Sequence, residues 1–379
     1  MNAIVDLNAE TGRCVACGLC LPHCPTYRKT LSEADSPRGR IMLTQGVVQG
    51  VLPINDKYMA HIDLCLTCRS CERVCPNHVQ YGVIADAARR LIRQQRPASF
   101  LQRTAEYLVA SPKLLKLAGF VLRLTSLLRL NVLMPSVLPK IPKQRNWQAS
   151  YPVQDARGSV YLFLGCASSI FESDALAASV FVLNQLGYTV HIPRNQTCCG
   201  GLHQQAGDSA TDLNARNLDA FAEFADLPVL CIASGCGARL LDLMPERFQD
   251  INAFLNNADW QGIALHSLPA KVAVQDPCSL RNILRAESAP YQLLKRIPQL
   301  EVVALPGNSQ CCGGAGSYML TQPEMASQLR DDKVAAIKSV QPDYVATANI
   351  GCALHLMRGT RARIVHPVTL IAKQMGYRE

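Results

Sequence analysis

The 379-residue sequence predicts a mixed α and α/β chain, in which a small helical N-terminal domain precedes a duplicated α/β domain with parallel sheets. Three observations predict it. Eight of the seventeen cysteines fall in two tight runs within residues 1–87, joined by a polar stretch with turn signals at Ser36-Pro37-Arg38-Gly39. The other nine are spread over residues 156–379 and recur at a nearly constant interval. Around those nine, short apolar runs alternate with helical patterns, the order that builds parallel sheets. Residues 88–155 contain no cysteine, are rich in Leu, Lys and Arg, and end in a stretch punctuated by Pro135, Pro139, Pro142 and Pro152. That segment reads as helices followed by a linker. The expected divisions are therefore 1–87, 88–155, 156–266 and 267–379.

Composition narrows the class of protein. With 49% hydrophobic and 18% charged residues the chain folds rather than staying disordered. Residues 1–10 have neither a basic nor an apolar segment of the secretory kind, so the expected setting is the cytoplasm, where thiolates in such numbers hold metal rather than form disulfides. The uncharged stretch 175–193 contains Asn184, Gln185, Gly187, His191 and Pro193 and makes a poor membrane span. The net charge of +9 is unevenly placed: residues 88–147 hold twelve Lys or Arg against the single acid Glu106.

Cys14-x2-Cys17-x2-Cys20-x3-Cys24-Pro25 and Cys65-x2-Cys68-x2-Cys71-x3-Cys75-Pro76 both carry the spacing of bacterial ferredoxins that hold two [4Fe-4S] clusters. In that arrangement three closely spaced thiolates serve one cluster and the fourth, before proline, reaches the other. Cluster one is thus expected to use Cys14, Cys17, Cys20 and Cys75, and cluster two Cys24, Cys65, Cys68 and Cys71. The competing assignment is structural zinc, but four-coordinate zinc has little use for a third regularly spaced cysteine followed by Cys-Pro, twice. His23 and His78 lie beside complete cysteine sets and need no role as ligands.

The distal cysteines form a duplication. Cys166, Cys198, Cys199 and Cys236 recur as Cys278, Cys311, Cys312 and Cys352, at offsets of 112, 113, 113 and 116 residues. Strands are expected at 160–164, 188–192 and 229–233 in the first copy, and at 272–274, 302–305 and 344–348 in the second. Helices are expected at 174–186 and 324–337. Ligands of open parallel sheets collect beyond the carboxyl ends of the strands, and the cysteines sit there. Neighbouring residues of a strand face opposite ways, so aiming both sulfurs of Cys198-Cys199 or Cys311-Cys312 at one site needs a sharp turn. Gly200-Gly201 and Gly313-Gly314 permit it, and their N–H groups can approach a sulfide-rich anion. The plain alternative is that these are inert core cysteines in tight turns.

The repeated pattern resembles the cysteine-rich CCG domain of heterodisulfide reductases and related oxidoreductases, whose fullest form ends in Cys-x2-Cys. Here Arg239 and His355 stand where the last cysteine falls; His355 is a candidate ligand and Arg239 is not. Cys231 is an additional cysteine of the first copy and reads as a core residue of its strand. The motifs Ser36-Pro37-Arg38-Gly39-Arg40, Asp63-Leu64-Cys65-Leu66-Thr67-Cys68-Arg69-Ser70-Cys71-Glu72, Ala233-Ser234-Gly235-Cys236-Gly237, Cys311-Cys312-Gly313-Gly314-Ala315-Gly316-Ser317-Tyr318 and Thr347-Ala348-Asn349-Ile350-Gly351-Cys352 resemble the iron-sulfur subunits of bacterial glycolate oxidases across nearly the whole chain. The resemblance implies work alongside FAD-binding subunits that oxidise glycolate and D-lactate, with a quinone as the sink. Iron-sulfur subunits of lactate, glycerol-3-phosphate and heterodisulfide oxidoreductases share the layout and are the nearest alternatives; a cysteine-rich zinc scaffold is the alternative of a different class.

No G-x-G-x-x-G opens a helix and no P-loop is present, so neither a flavin nor a nicotinamide site is expected, nor a nucleic-acid partner. Oxidising a 2-hydroxy acid removes an electron pair, which flavin accepts and iron-sulfur clusters pass on singly. The chain must then receive electrons from a flavoprotein. Its basic middle segment, with Lys113, Lys116 and Arg123 on one side of a helix and Arg129 nearly opposite, suits the chain's own domains, an acidic partner or the peripheral surface of an anionic membrane.

Overall fold

A computed structural model describes residues 6–97 and 145–378 and, between them, residues 103, 104, 107, 108, 110, 111, 114, 117, 119–121 and 142. The first region is built from six short helices: α1 (Leu7–Gly12), α2 (Pro25–Thr30), α3 (Pro37–Val48), α4 (Asp56–Asp63), α5 (Ser70–Arg73) and α6 (Tyr81–Gln95). Local capping fixes several of their starts. The Asp6 carboxylate accepts the N–H groups of Asn8 and Ala9, and the Asn55 side chain accepts that of Tyr58. The polar stretch at 36–40, which carries turn signals, is the start of α3: Ser36 Oγ accepts the N–H of Gly39 at 2.9 Å and Pro37 occupies the first helical turn. Apolar packing in this region is thin. Ile41, Val79, Tyr81, Ile84 and Ala85 gather around Cys65 and Cys71, so sulfur-bearing side chains make up much of the small core.

The second region contains two sheets. In the first, β1 (Ser150–Tyr151), β2 (Gly158–Phe163), β3 (Tyr188–His191), β4 (Val229–Cys231) and β5 (Phe248–Asp250) lie in the order β1-β3-β2-β4-β5, parallel except for β1 at the edge. The second holds β6 (Ala270–Gln275), β7 (Leu300–Ala304), β8 (Tyr344–Thr347) and β9 (Arg363–Val365) in the order β7-β6-β8-β9, all parallel. The two orders match strand for strand once β1 is set aside. Each copy has one strand more than the three read from sequence, β5 and β9, where an exposed Gln249 or Arg363 leaves no continuous apolar run. β2 and β6 are central and covered on both faces, which explains their continuous apolar runs: Val160 through Phe163 and Val272 through Val274 are at most 1% exposed.

The two copies share one core. Helix Pro367–Gln374, at the end of the second copy, packs on Ser173–Gln185 of the first, and Val368 and Ile371 join Leu176, Val182 and Leu183 in a single buried cluster. In each sheet the chain leaves the first strand toward one edge and the third toward the other. The crevice between β2 and β4, and likewise between β6 and β8, is thereby the place where an open parallel sheet presents a ligand site.

Candidate metal centres

The N-terminal thiols gather around two adjoining cavities. Cys14, Cys17, Cys20 and Cys75 line the first, with Cys71, Ile41, Val79 and Tyr81. Cys24, Cys65, Cys68 and Cys71 line the second, with Arg40, Leu66 and Tyr81. Cys71 borders both. The two ligand loops are bent alike by left-handed residues at matching positions, Ala16 and Gly18 in one and Thr67 and Arg69 in the other. Only Gly18 announces such a turn in sequence. At Arg69 the conformation is held by its guanidinium, which donates to Glu72 at 2.6 Å.

Two buried arginines distinguish the second cavity. Arg40, 2% exposed, donates to the carbonyl of His61 at 2.6 Å and to Thr26 Oγ1 at 3.1 Å, with Asp35 at 3.7 Å. Arg89, from α6, donates to the carbonyl of Cys65 at 2.6 Å and to Thr67 Oγ1 at 2.5 Å. Burial by itself raises the Cys65 thiol, but Arg40 and Arg89 outweigh it and hold Cys65 below the usual thiol range. Burial pushes Cys71 and Cys68 up, and burial raises Cys20 to about 11. A cluster ligated by four thiolates carries net negative charge, and the paired guanidinium groups are placed to offset it. Sequence reading missed both arginines; the Arg40 of the 36–40 motif was the one available signal.

The distal cysteines assemble into two further sites at the sheet crevices. In the first, Cys198 Sγ lies 3.7 Å from Cys166 Sγ, and Cys199 contacts both Cys198 and Cys236. In the second, Cys278 and Cys311 lie 4.0 Å apart and Cys312 and Cys352 3.2 Å apart. The glycines act as the pattern requires. Gly200 and Gly313 have φ of +79° and +86°, and the N–H groups of Gly200, Gly313 and Gly314 donate to Cys198, Cys311 and Cys312 at 3.4–3.5 Å. Hydrogen bonds from flanking thiols hold Cys199 and Cys312 well below the usual thiol range.

The residues at the end of each motif differ. His355 is buried; its Nε2 lies 2.9 Å from the carbonyl of Ala326, leaving Nδ1 as a buried lone pair with no hydrogen-bond partner. A ligating histidine typically donates its other N–H to a backbone carbonyl, so His355 has the form of a ligand near Cys312. Arg239 instead donates to Asp242 at 2.7 Å and lies beside Gly201. Among the described residues, no three His, Cys, Asp or Glu side chains converge as the ligands of a single metal ion do; the N-terminal thiols border cavities instead.

The four sites are linked. The side chain of Asn282, in the short helical segment Leu280–Leu284 after Cys278, donates to the carbonyl of Cys68 at 2.8 Å, and Tyr318 donates to the carbonyl of Leu64 at 2.9 Å. Leu66, Cys68, Cys278 and Cys311 belong to one packed cluster. The two distal sites meet through Asn349, whose Oδ1 accepts the N–H of Gly235 at 3.1 Å while its Nδ2 donates to Cys352 Sγ at 3.4 Å. Ser234 and Ser279 add a hydroxyl contact of 2.8 Å.

Comparison with known proteins agrees with this partition. The 4Fe-4S dicluster domain family matches residues 10–79, and the cysteine-rich domain family, CCG, matches 160–240 and 272–357. The chain is 31% identical to the probable glycolate oxidase iron-sulfur subunit of Bacillus subtilis strain 168, over 97% of this chain and 95% of that protein. It is 30% identical to the glycolate oxidase iron-sulfur subunit of Escherichia coli strain K12, over 96% and 93%. Lactate utilization protein A of Geobacillus thermodenitrificans strain NG80-2 is 28% identical over 58% of this chain and 99% of its own length.

Proposed function

The chain belongs to the family of glycolate oxidase iron-sulfur subunits, and from that premise we propose that it carries electrons from an FAD-bearing dehydrogenase subunit, which oxidises glycolate or D-lactate, to a quinone-type acceptor. The observation that most supports the reading is the crossed placement of the N-terminal thiols, where Cys75 borders the cavity of the first run and Cys24 that of the second. Cys14, Cys17, Cys20 and Cys75 hold one [4Fe-4S] cluster in this reading, and Cys24, Cys65, Cys68 and Cys71 the other. When bound, such clusters supply one-electron redox chemistry. The chain's own residues ligate, exclude water with Ile41, Val79 and Leu66, and balance charge with Arg40 and Arg89. Cys166, Cys198, Cys199 and Cys236 hold a further iron-sulfur group, and Cys278, Cys311, Cys312, Cys352 and His355 Nδ1 another. The segments 1–87, 88–155, 156–266 and 267–379 remain the proposed divisions, with α6 running on across the first boundary and β1 reaching the first sheet from before the second.

The substrate is oxidised on the partner subunit. The likeness to Lactate utilization protein A favours a second reading in which the role is the same and the substrate is lactate. No helix among the described residues is long and apolar enough to cross a membrane. A cytoplasmic chain delivering to a lipid-dissolved quinone is served by peripheral attachment, to which we assign the basic segment; its Lys113, Lys116 and Arg123 lie outside the described residues.

The test is purification with native partners and dye-linked assay on glycolate, both lactates and glycerol 3-phosphate. The complex is expected to turn over glycolate or D-lactate. Cys199→Ala and Cys312→Ala should slow delivery to the acceptor more than flavin reduction by substrate. A colourless chain holding zinc in place of iron and sulfide overturns the redox role, and activity on glycerol 3-phosphate alone overturns the substrate.

A further inference from the structure

The two distal sites are built from equivalent strands but keep different donors. At the carboxyl end of the third strand of each copy, Cys231 pairs in register with Phe163 and Thr347 with Gln275. Those positions correspond, so the residues can be compared directly. In the second copy the Thr347 hydroxyl donates to Gln275 Oε1 at 2.7 Å, a closed buried pair, and the extra donor near the thiols is His355. In the first copy Arg239 replaces that donor, and the thiol at the strand end is Cys231.

Cys231 is placed as a member of the site and not merely as strand packing. Its sulfur is a hydrogen-bonding neighbour of Cys236, the same sulfur that contacts Cys199. It is 2% exposed and packs in one cluster with Cys198 and Cys199. It also accepts the N–H of the residue two further on, Ala233, at 3.4 Å, and lies 3.4 Å from that residue's carbonyl oxygen, to which the thiol donates when protonated. Cys65, Cys198, Cys311 and Cys312 accept an N–H from the residue two further on in the same way. Such amide-to-sulfur hydrogen bonds favour a thiolate and tune a cluster held by it.

We propose that Cys231 is the fifth thiol donor of the first distal site, supplying from the end of β4 what position 239 lacks. The proposal rests on the reading that this site holds an iron-sulfur group. Each copy then keeps five donors: Cys166, Cys198, Cys199, Cys236 and Cys231 in one, and Cys278, Cys311, Cys312, Cys352 and His355 in the other. The two groups are inequivalent, one all-sulfur and one with a nitrogen donor, and nitrogen ligation of an iron-sulfur centre raises its potential.

The experiment compares iron and acid-labile sulfide per chain, and the low-temperature electron-spin spectrum, of the full chain carrying Cys231→Ala, Cys231→Ser, Cys236→Ala or Thr347→Val. Cys236→Ala should remove the first site's share of iron and its spectral contribution. Cys231→Ala should match that loss, whereas Cys231→Ser, with an oxygen donor of similar size, should fold normally and shift the line shape. Thr347→Val should leave the spectrum unchanged. Wild-type iron and line shape in both Cys231 variants, with loss in Cys236→Ala, overturns the proposal and returns Cys231 to the core. If Cys236→Ala also leaves iron and spectrum unchanged, the site holds no cluster and the parent reading falls with it. Should Cys231→Ala fail to fold, the Cys231→Ser line shape decides, and an unshifted one overturns the proposal.

Discussion

Two buried histidines are built for different ends. His355 leaves one ring nitrogen without a partner beside the second distal site, whereas His366 uses both. His366 Nε2 donates to the carbonyl of Ile232 at 2.9 Å, and Nδ1 accepts the N–H of Val368 at 3.2 Å, capping the helix Pro367–Gln374 that ties the two copies together. A neutral ring is the only form that satisfies both contacts. Burial pushes its pKa from 6.5 down to about 4. The folded state therefore binds no proton on His366 between about pH 6.5 and 4, while the unfolded chain does. Stability from this residue is complete above 6.5 and declines as the pH falls through that window, by about 1.4 kcal/mol one unit below 6.5. His366→Gln keeps a donor toward Ile232 and removes the titration. The wild-type melting temperature is expected to drop by more than the variant's between pH 7.5 and 5.5, and equal drops in both proteins would refute the assignment.

At the scale of elements, the start of α3 shows how a short motif can organise the ligand loops around it. Gly39 faces the carbonyl of Glu33 so closely that an added Cβ would stand 1.9 Å from that oxygen. Arg38 then reaches the carbonyl of Ala16 in the first ligand loop at 2.8 Å, and Arg40 turns inward to the second cavity. Gly39→Ala must separate the two backbones. It is expected to cost roughly 3 kcal/mol, at the upper end for overpacking, and to lower iron content, whereas Ser36→Ala loses the cap and a hydroxyl bond to Glu33, about 1–2 kcal/mol. Thermal melts with iron assays distinguish them, and a Gly39→Ala chain that melts with wild type would sink the account. The same elements mark what the sequence makes legible. Apart from β5 and β9, the six strands of the two copies overlap apolar runs, and in β2, β4, β6 and β8 most residues are buried on both faces. β5 and β9 announce no such run: in each an exposed residue, Gln249 or Arg363, interrupts it. Ser36-Pro37 reads equally as a turn or a helix start, since the same side chains serve both. The approach of Glu33 that selects Gly39 is a tertiary contact that no local pattern records, and so are the placing of Arg89 on Cys65 and of Cys231 against Cys236.

Across the whole molecule, the second N-terminal cavity lies between the first and the distal copies, which pack on it through Leu66 and Cys68 and through α6. The first N-terminal cavity is the outermost: Cys17 is exposed, as are Val15 at 66% and Leu19 at 56% beside it. The second shares Cys71 with the first and packs through Leu66 and Cys68 on the second distal site, which meets the first distal site through Asn349. Under the proposed function, electrons passing between the outer cavity and the distal sites cross the second cavity, whichever end they enter. Cys68→Ala removes a proposed ligand there and also a sulfur that packs in one cluster with Cys278. In the assembled complex, one addition of substrate should still reduce the centre on the flavin side, while the centres beyond the second cavity remain oxidised for many turnovers of wild type. Freeze-quenched electron-spin spectra separate the two populations, and the one that fills first identifies the end at which electrons arrive. Reduction of both populations at wild-type rates in Cys68→Ala would require a path that bypasses the second cavity, and its place between the first cavity and the distal sites would be wrong.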